Sequence, residues 1–536
     1  MKAYSYFLII AAMTLALQGC KKTDTVYEDP YANPKPPLGI KLDRAVLPDP
    51  ASGIAGTKVH FQATGLVPYK DKLSFLFNGE KAEIVGITES GIDVKVPAGA
   101  SSGITSINVD DQLVLGPQFS VLGFIKIDPT FRAQGGANNF VSKVYPLPDG
   151  RDIIIGFFTN YDNKGYVAPL NRIVRTSGDG DLDRTFRTGK GANSGLTGII
   201  ELGGKFVIAG GLSGYDQRTE NISNITTLNS NGTIDTMGVK TYRRPSQTDT
   251  TMYFPKFNGG TNDFIGNLYV HQNKILATGN FRYYVTRKYT EPNSTFTKDT
   301  VILDSTEMRQ ILRFNPDGSL DSSFRFNQAT GKSFPAANGP IGTFMHYEPD
   351  KLEKLLVFGS FSTFDGQPAG RITRLNPDGT IDNTFTPGTG ADYDINSLTY
   401  NAVTKKYLIT GRFRHYGGKN ALGIALLNED GTLDESFTGK EFEGGLPGMA
   451  RQLNDGLIVV SGTFKKYNNV TRNGFMVLTP TGDFAAGYNA TGTFSGGLAD
   501  IIETRSADGK RALLLIGSIY RFDNQPVSNI IRITLE

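Results

Sequence analysis

The chain of 536 residues contains one cysteine, no tryptophan and four histidines. With Cys20 alone, no disulfide can form within the chain, so its stability has to come from a large packed core. Thiol pairs and cysteine-ligated zinc sites are excluded with it. The histidines, His60, His271, His346 and His415, are far apart, and no nucleophile-elbow serine or zinc-binding helix motif accompanies them. The charges nearly balance, with 55 Lys and Arg against 52 Asp and Glu. A chain this neutral lacks the broad basic field that nucleic acid requires. Long apolar runs are missing too: the longest, Tyr6 to Leu17, is well short of the roughly 20 residues that a membrane-spanning helix needs.

That short run is informative. Lys2 precedes it and Leu17-Gln18-Gly19-Cys20 follows, the order of a secretory signal peptide. The last four residues resemble the bacterial lipobox, which implies cleavage before Cys20 and lipidation of that residue. The mature chain is then held to a membrane through its lipid anchor. Lys21 stands where an inner-membrane retention signal would place aspartate, so the expected location is the outer membrane. Residues 21–37 are polar and contain proline. They read as a spacer that could extend up to about 50 Å.

Residues 38–122 alternate apolar and polar positions, as in Lys58 to Gln62, Leu73 to Phe77 and Ile92 to Val96, with turn residues at Asn78-Gly79, Ser90-Gly91 and Pro97-Ala98-Gly99. Short strands spaced in this way predict a small β-sandwich. Three features, Gly56-Thr57, Phe77 to Ala82 and Val96 to Gly99, resemble the IPT/TIG immunoglobulin-like family. That resemblance implies a spacer or interaction module.

Residues 123–536 repeat. Arg313 to Phe324 and Arg374 to Phe385 share the pattern Arg-x-Asn-Pro-Asp-Gly-x-x-Asp-x-x-Phe, and weaker copies end at Phe186 and Phe437. A Gly-x-Phe element, as at Gly359, Gly411 and Gly462, recurs between them and again near Gly156, Gly210, Gly279 and Gly517. Each unit reads as four strands, the last carrying the Asp-x-x-Phe. Seven such units predict an all-β, seven-bladed propeller, and the pattern resembles the bacterial delta-sixty repeat propellers. The region ends on a third strand, Ile530 to Glu536, and opens on a fourth, Ile125 to Phe131. Pairing the two would close the ring and remove an exposed edge.

Several motifs are absorbed by the repeat. Gly189-Lys-Gly191 and Gly388-Thr-Gly390 occupy equivalent junctions and open no helix, so they read as tight turns and not as phosphate loops. Asp179-Gly-Asp181-Leu-Asp183 spaces its carboxylates like a calcium loop but has Lys190 at the twelfth position. No catalytic residue, metal or cofactor is assigned. Aromatic residues followed by Asp, Asn or Gly recur at Tyr161, Tyr215, Phe364, Tyr416, Tyr467 and Phe522. They fit hairpin turns, with a ring of ligand-stacking platforms as the functional alternative.

The repeat breaks in its third unit. Asp235 to Gly279 and Gly279 to Asp321 are both much longer than their counterparts, and if the extra length lies in loops, both insertions leave one face of the propeller. They carry Tyr242, Arg243, Tyr253, Tyr283, Tyr284, Arg287 and Tyr289, of the aromatic and arginine types that dominate binding hot spots. These residues and Tyr416 are the candidate ligand contacts. The expected function is a non-catalytic, membrane-anchored protein that binds a glycan or protein, with an outer-membrane transporter as candidate partner. A polysaccharide hydrolase or lyase and a structural envelope component are the alternatives. Two or three close carboxylates in the central pocket, one of them in an apolar setting, would favour the hydrolase.

Overall fold

A computed structural model describes residues 35–240, 251–289 and 302–536. Cys20, Tyr242 and Arg243 lie outside the described residues. Alternation in the first unit becomes two antiparallel-rich sheets. Lys41–Leu42, Lys58–Thr64, Gly91–Lys95 and Glu83–Ile87 form one; Ser52–Gly53, Gln112–Val121, Gly103–Val109, Ser74–Phe77 and Glu80–Lys81 form the other. Their inward residues meet in a shared core around Phe61, Phe75, Phe77 and Phe119, with the Phe61 and Phe75 rings 4.6 Å apart.

From Val141 onward, three-stranded antiparallel sheets follow one another. One consists of Ile395–Asn401, Lys406–Gly411 and Ile424–Leu427; the next consists of Pro447–Gln452, Ile458–Gly462 and Phe475–Leu478. The middle strand of each is buried on both faces, which explains unbroken apolar runs such as Ile153 to Ile155 and Val459-Val460. First strands of successive sheets lie side by side around an axis and are joined by side-chain hydrogen bonds. The hydroxyl of Ser142 donates to the Leu196 carbonyl at 2.6 Å, Thr197 to Ile265 at 2.6 Å and Thr399 to Ala450 at 2.9 Å, and Thr410 of a middle strand reaches Gly448 of the next first strand at 2.9 Å.

The recurring glycine that ends each middle strand has a steric cause. A Cβ on Gly156 would sit 2.3 Å from the Phe140 carbonyl oxygen, one on Gly411 2.1 Å from that of Asp394, and one on Gly462 2.2 Å from that of Leu446. The loop entering each first strand passes too close for any side chain.

The expected fourth strand is shorter than its sequence pattern predicts. In the internal repeats it pairs through single bridges, Leu182 with Thr176, Ile381 with Leu375 and Leu433 with Leu427. The aspartate just beyond turns the chain by accepting the backbone N–H two residues on, as Asp382 does from Thr384 at 3.0 Å. The same carboxylate takes the third-strand arginine, Arg374 Nε to Asp382 Oδ2 at 2.7 Å. That guanidinium lies over the Phe385 ring at 4.9 Å. The Arg…Asp-x-x-Phe pattern is therefore one three-part clamp, repeated by Arg175, Asp183 and Phe186 and by Arg313, Asp321 and Phe324.

The ends of the repeat region pair as antiparallel strands, Ile125 with Leu535 and Ile127 with Ile533. Arg532, Asp128 and Phe131 rebuild the clamp across that seam. Ile154 and Val174 pack against Leu514, Ile516 and Ile530 there, so the first and last sheets share a core.

Candidate functional site

First strands of four consecutive sheets, the last three and the first, meet at the axis. Val144 and Pro146, Tyr400 and Asn401, Arg451 and Gln452, and Asp500, Ile502 and Glu503 together line a cavity of about 600 Å³. Leu147, Gly150, Ala402 and Asn454, from turns that follow the first strands, and Thr504, near the end of the last of those strands, form its mouth. A cavity of that size suits a small ligand or one residue of a polymer.

Its lining is rich in hydrogen-bonding groups held by one another. Asn401 Nδ2 donates to the Gln452 carbonyl at 2.9 Å, and the Asn454 N–H donates to Glu503 Oε1 at 2.8 Å. Arg451 pairs with Asp500 at 2.6 Å, and Arg511 reaches Glu503 at 3.3 Å. The Tyr400 hydroxyl donates to Glu429 at 3.0 Å, and burial raises its pKa. Asp152 is different. Burial pushes its carboxyl up to about 6, beside Leu514 at the seam of the first and last sheets. Lys143 sits on the inner strand Val141–Pro146, where burial holds its amine below the usual lysine range and Asp500 acts in the opposite sense.

The first unit docks at the other end of the ring. The Thr471 N–H donates to Glu80 Oε1 at 2.7 Å, Arg472 to the Gly99 carbonyl at 3.0 Å, and Asn524 to the Ser102 carbonyl at 3.2 Å. Backbone bonds from Ser102 to Ala490 and from Phe124 to Gly487 complete the joint. Thr471 and Asn524 belong to loops that leave the middle strands at the end away from the cavity mouth. The cavity therefore opens away from the first unit.

The described insertion residues gather at the end away from the cavity mouth. Thr236–Lys240 pairs with Thr251–Pro255, and Tyr283–Lys288 pairs with Ile302–Glu307. The two hairpins meet where Phe254 stacks on Tyr289, ring centroids 4.2 Å apart and planes 13° apart. Tyr253 is exposed, and Tyr283 is partly covered by Arg282, 5.7 Å from its ring. Tyr284 and Tyr289 are buried. Arg287 is held by Ser223 at 2.6 Å, and burial lowers its pKa.

Tyr416 is wholly buried, and its hydroxyl donates to the Gly431 carbonyl at 2.8 Å. Tyr161, Tyr215 and Tyr467 make the same bond to Gly180, Gly232 and Gly482. Their rings hold the hairpin turns against the sheet edges and present no face to a ligand. The residues after them take positive φ, as at Asp216 (53°) and Asn469 (63°), as tight hairpin turns require.

Other motifs find structural uses. Gly189, Gly191, Gly388 and Gly390 have positive φ in turns. Asp179, Asp181 and Asp183 are each paired with an arginine: Arg532, Arg132 and Arg175. His346 lies between Glu348 and Tyr407, at 2.7 and 2.6 Å, while burial takes the His271 imidazole down to about 4. The axial polar residues were missed in the sequence because each occupies an ordinary strand position. Only the recurrence of first-strand positions, laid side by side, would have grouped them.

The fold and cavity define an all-β protein carrying a β-propeller. The model of a family described as "Domain of unknown function (DUF5122) beta-propeller" matches residues 305–324, 354–385, 405–437 and 453–484. A second, "Domain of unknown function (DUF5008)", matches residues 18–117. No curated protein matches. Among solved structures, the chain is similar to the WD40 β-propeller domain of Doa1, at 12% identity over 77% of this chain and 96% of that one, TM-score 0.36. It is also similar to an auxiliary nutrient binding protein from Bacteroides ovatus, at 12% identity over 92% and 97%, TM-score 0.31.

Proposed function

We propose that the chain is a non-catalytic binding protein, tethered to the outer membrane through Cys20, whose propeller takes a glycan in its axial cavity. In this reading the propeller has seven blades, and residues 38–122 are an immunoglobulin-like sandwich that serves as the stalk. The observation that carries it is the cavity lined by Asn401, Gln452, Asn454, Asp500, Glu503 and Thr504, with its mouth turned away from the first unit. Fixed carboxamide and carboxylate groups at close spacing suit the paired hydroxyls of a sugar. A mouth on the far side of the stalk suits a receptor for material outside the membrane, with an outer-membrane transporter as partner.

A glycan array probed with the detergent-solubilised full chain tests this. Asn454→Ala combined with Thr504→Ala should weaken the bound glycan at least about ten-fold, two lost hydrogen bonds being worth roughly 1 kcal/mol each. Tyr253→Ala and Tyr283→Ala should leave it unchanged. Loss of binding in the tyrosine variants alone would move the site to the hairpins and overturn the assignment.

Asp152 favours a second reading, a polysaccharide hydrolase. A carboxyl titrating near 6 is suited to general-acid work, and Asp500 and Glu503 share its cavity. Both of those are engaged by arginines, which favours binding over catalysis. Release of reducing ends by the wild type, abolished in Asp152→Asn, would reverse that order.

A further inference from the structure

The sheet of Pro447–Gln452, Ile458–Gly462 and Phe475–Leu478 departs from its neighbours beside the joint with the first unit. Backbone hydrogen bonds fix the equivalent positions. The Asp382 N–H donates to the Arg374 carbonyl at 2.8 Å, and Asp434 to Leu426 at 2.8 Å; here Ala485 donates to Val477 at 3.0 Å. This sheet therefore has neither the arginine nor the aspartate of the clamp. Earlier in each repeat, Ala369 donates to Ser362 at 2.9 Å and Ala421 to Arg414 at 2.8 Å, whereas here Arg472 donates to Lys465 at 2.7 Å. An arginine thus stands where two other repeats have alanine.

Arg472 is only 3% exposed. Its guanidinium lies 4.6 Å from the Phe484 ring, and Nη1 donates to the Gly99 carbonyl at 3.0 Å and the Thr471 carbonyl at 2.6 Å. Among the described residues, Nε and Nη2 have no acceptor and no carboxylate lies within 4.0 Å of the group. Glu80 acts on it only through space, being bound to the Thr471 N–H at 2.7 Å.

The arginine borders a cleft of about 660 Å³ between the two units, walled by Ile54, Pro97, Leu122, Phe124, Phe484 and Ala490. The first unit's contribution is open to solvent, with Ile54, Leu122 and Phe124 all exposed. Asn489 is the other polar side chain in the lining, and it is spent on the Val477 N–H and carbonyl at 2.9 and 2.8 Å. The Ala490 and Gly487 carbonyls are taken by the Ser102 and Phe124 N–H groups. What remains for a ligand is apolar surface and one unmatched cation.

A buried charge without a counter-ion is costly unless something supplies one, and an apolar cleft with a single fixed polar group has the make-up of a small-molecule site. We infer that this cleft binds an amphipathic carboxylate, its acid head against Arg472 and its apolar body along Leu122, Phe124 and Ile54. The planar guanidinium suits a carboxylate head. This site lies at the joint, apart from the axial cavity, and stands whether or not that cavity takes a glycan.

The test titrates decanoate and decanol, each as monomers, into the full chain held in one nonionic detergent. Decanoate should bind roughly ten-fold more tightly than decanol, as a charge-assisted hydrogen bond implies. That preference should vanish in Arg472→Met and largely persist in Arg472→Lys. Ile54→Glu changes an exposed wall and spares the hydrogen bonds of the joint, so it decides the matter if Arg472→Met melts early. It should weaken decanoate more than decanol, and an unchanged decanoate affinity refutes the site. Equal binding of the two probes, no saturable binding of either, or a preference that survives Arg472→Met overturns the inference. Capture of anionic phospholipid vesicles through Arg472, with free decanoate ignored, would make the cleft a membrane contact and overturn it as well.

Discussion

Arg532 and Asp128 form an ion pair, Nε to Oδ2 at 2.5 Å, with both side chains almost wholly buried. Arg374 and Asp382 make the same pair within a single repeat. What is a local clamp in the interior of the region becomes, at its ends, the bond that joins the last strand to the first. The Phe131 ring lies under Arg532 as Phe385 lies under Arg374, so the closing sheet copies the others in detail.

Breaking that pair should open the ring. Removing Asp128 leaves the buried Arg532 with only the more exposed Asp179 as its counter-ion, at a cost of up to roughly 3–5 kcal/mol. Asp128→Asn should lower the melting temperature clearly more than Lys95→Ala, which removes a surface pair with Glu83 worth at most about 1 kcal/mol. Equal shifts in the two variants would refute a closing role.

The clamps also set the response to acid. Burial alone would raise the Asp183, Asp321 and Asp382 carboxyls. Hydrogen bonds from Thr185, Ser323 and Thr384 and from their lysine and arginine partners outweigh it and hold all three well below the usual range. A depressed carboxyl stabilises the fold above its unfolded pKa, and that stability is lost as the pH falls through the folded value. Melting temperature should therefore fall steeply below about pH 4. Asp382→Asn should flatten that fall while lowering stability at pH 7.

Asp152 should behave in the opposite way. Its folded pKa, about 6, is raised by burial, so its contribution is complete below the unfolded value and is lost as the pH rises through 6. Asp152→Asn should raise stability at pH 7 by on the order of 2 kcal/mol. The gain should disappear below about pH 4, as thermal melts across that range would report. A gain that persisted in acid would show that Asp152 is not buried as a charge.

The repeats were legible because each sheet reuses one set of physical constraints. The glycine ending each middle strand marks a carbonyl passing within about 2 Å of where a Cβ would sit. The Asp-x-x-Phe marks the clamp. The fourth strand was read too long because its apolar residues, Leu182 or Ile381, mimic strand alternation while the following aspartate ends the pairing.

The insertions were correctly read as sharing a face, but not as stacking on each other through Phe254 and Tyr289. Tyr416 looked like a platform because an aromatic side chain at a turn has the same letter whether it faces solvent or a glycine carbonyl.

The joint at Glu80, Gly99, Ser102 and Phe124 has a mechanical consequence. Five hydrogen bonds drawn from separate loops resist both bending and twisting, so the two units turn as one lever. The heading of the cavity mouth is then fixed relative to the first unit. A load applied at the mouth would pass through this joint into the first unit and would not fold one unit back on the other.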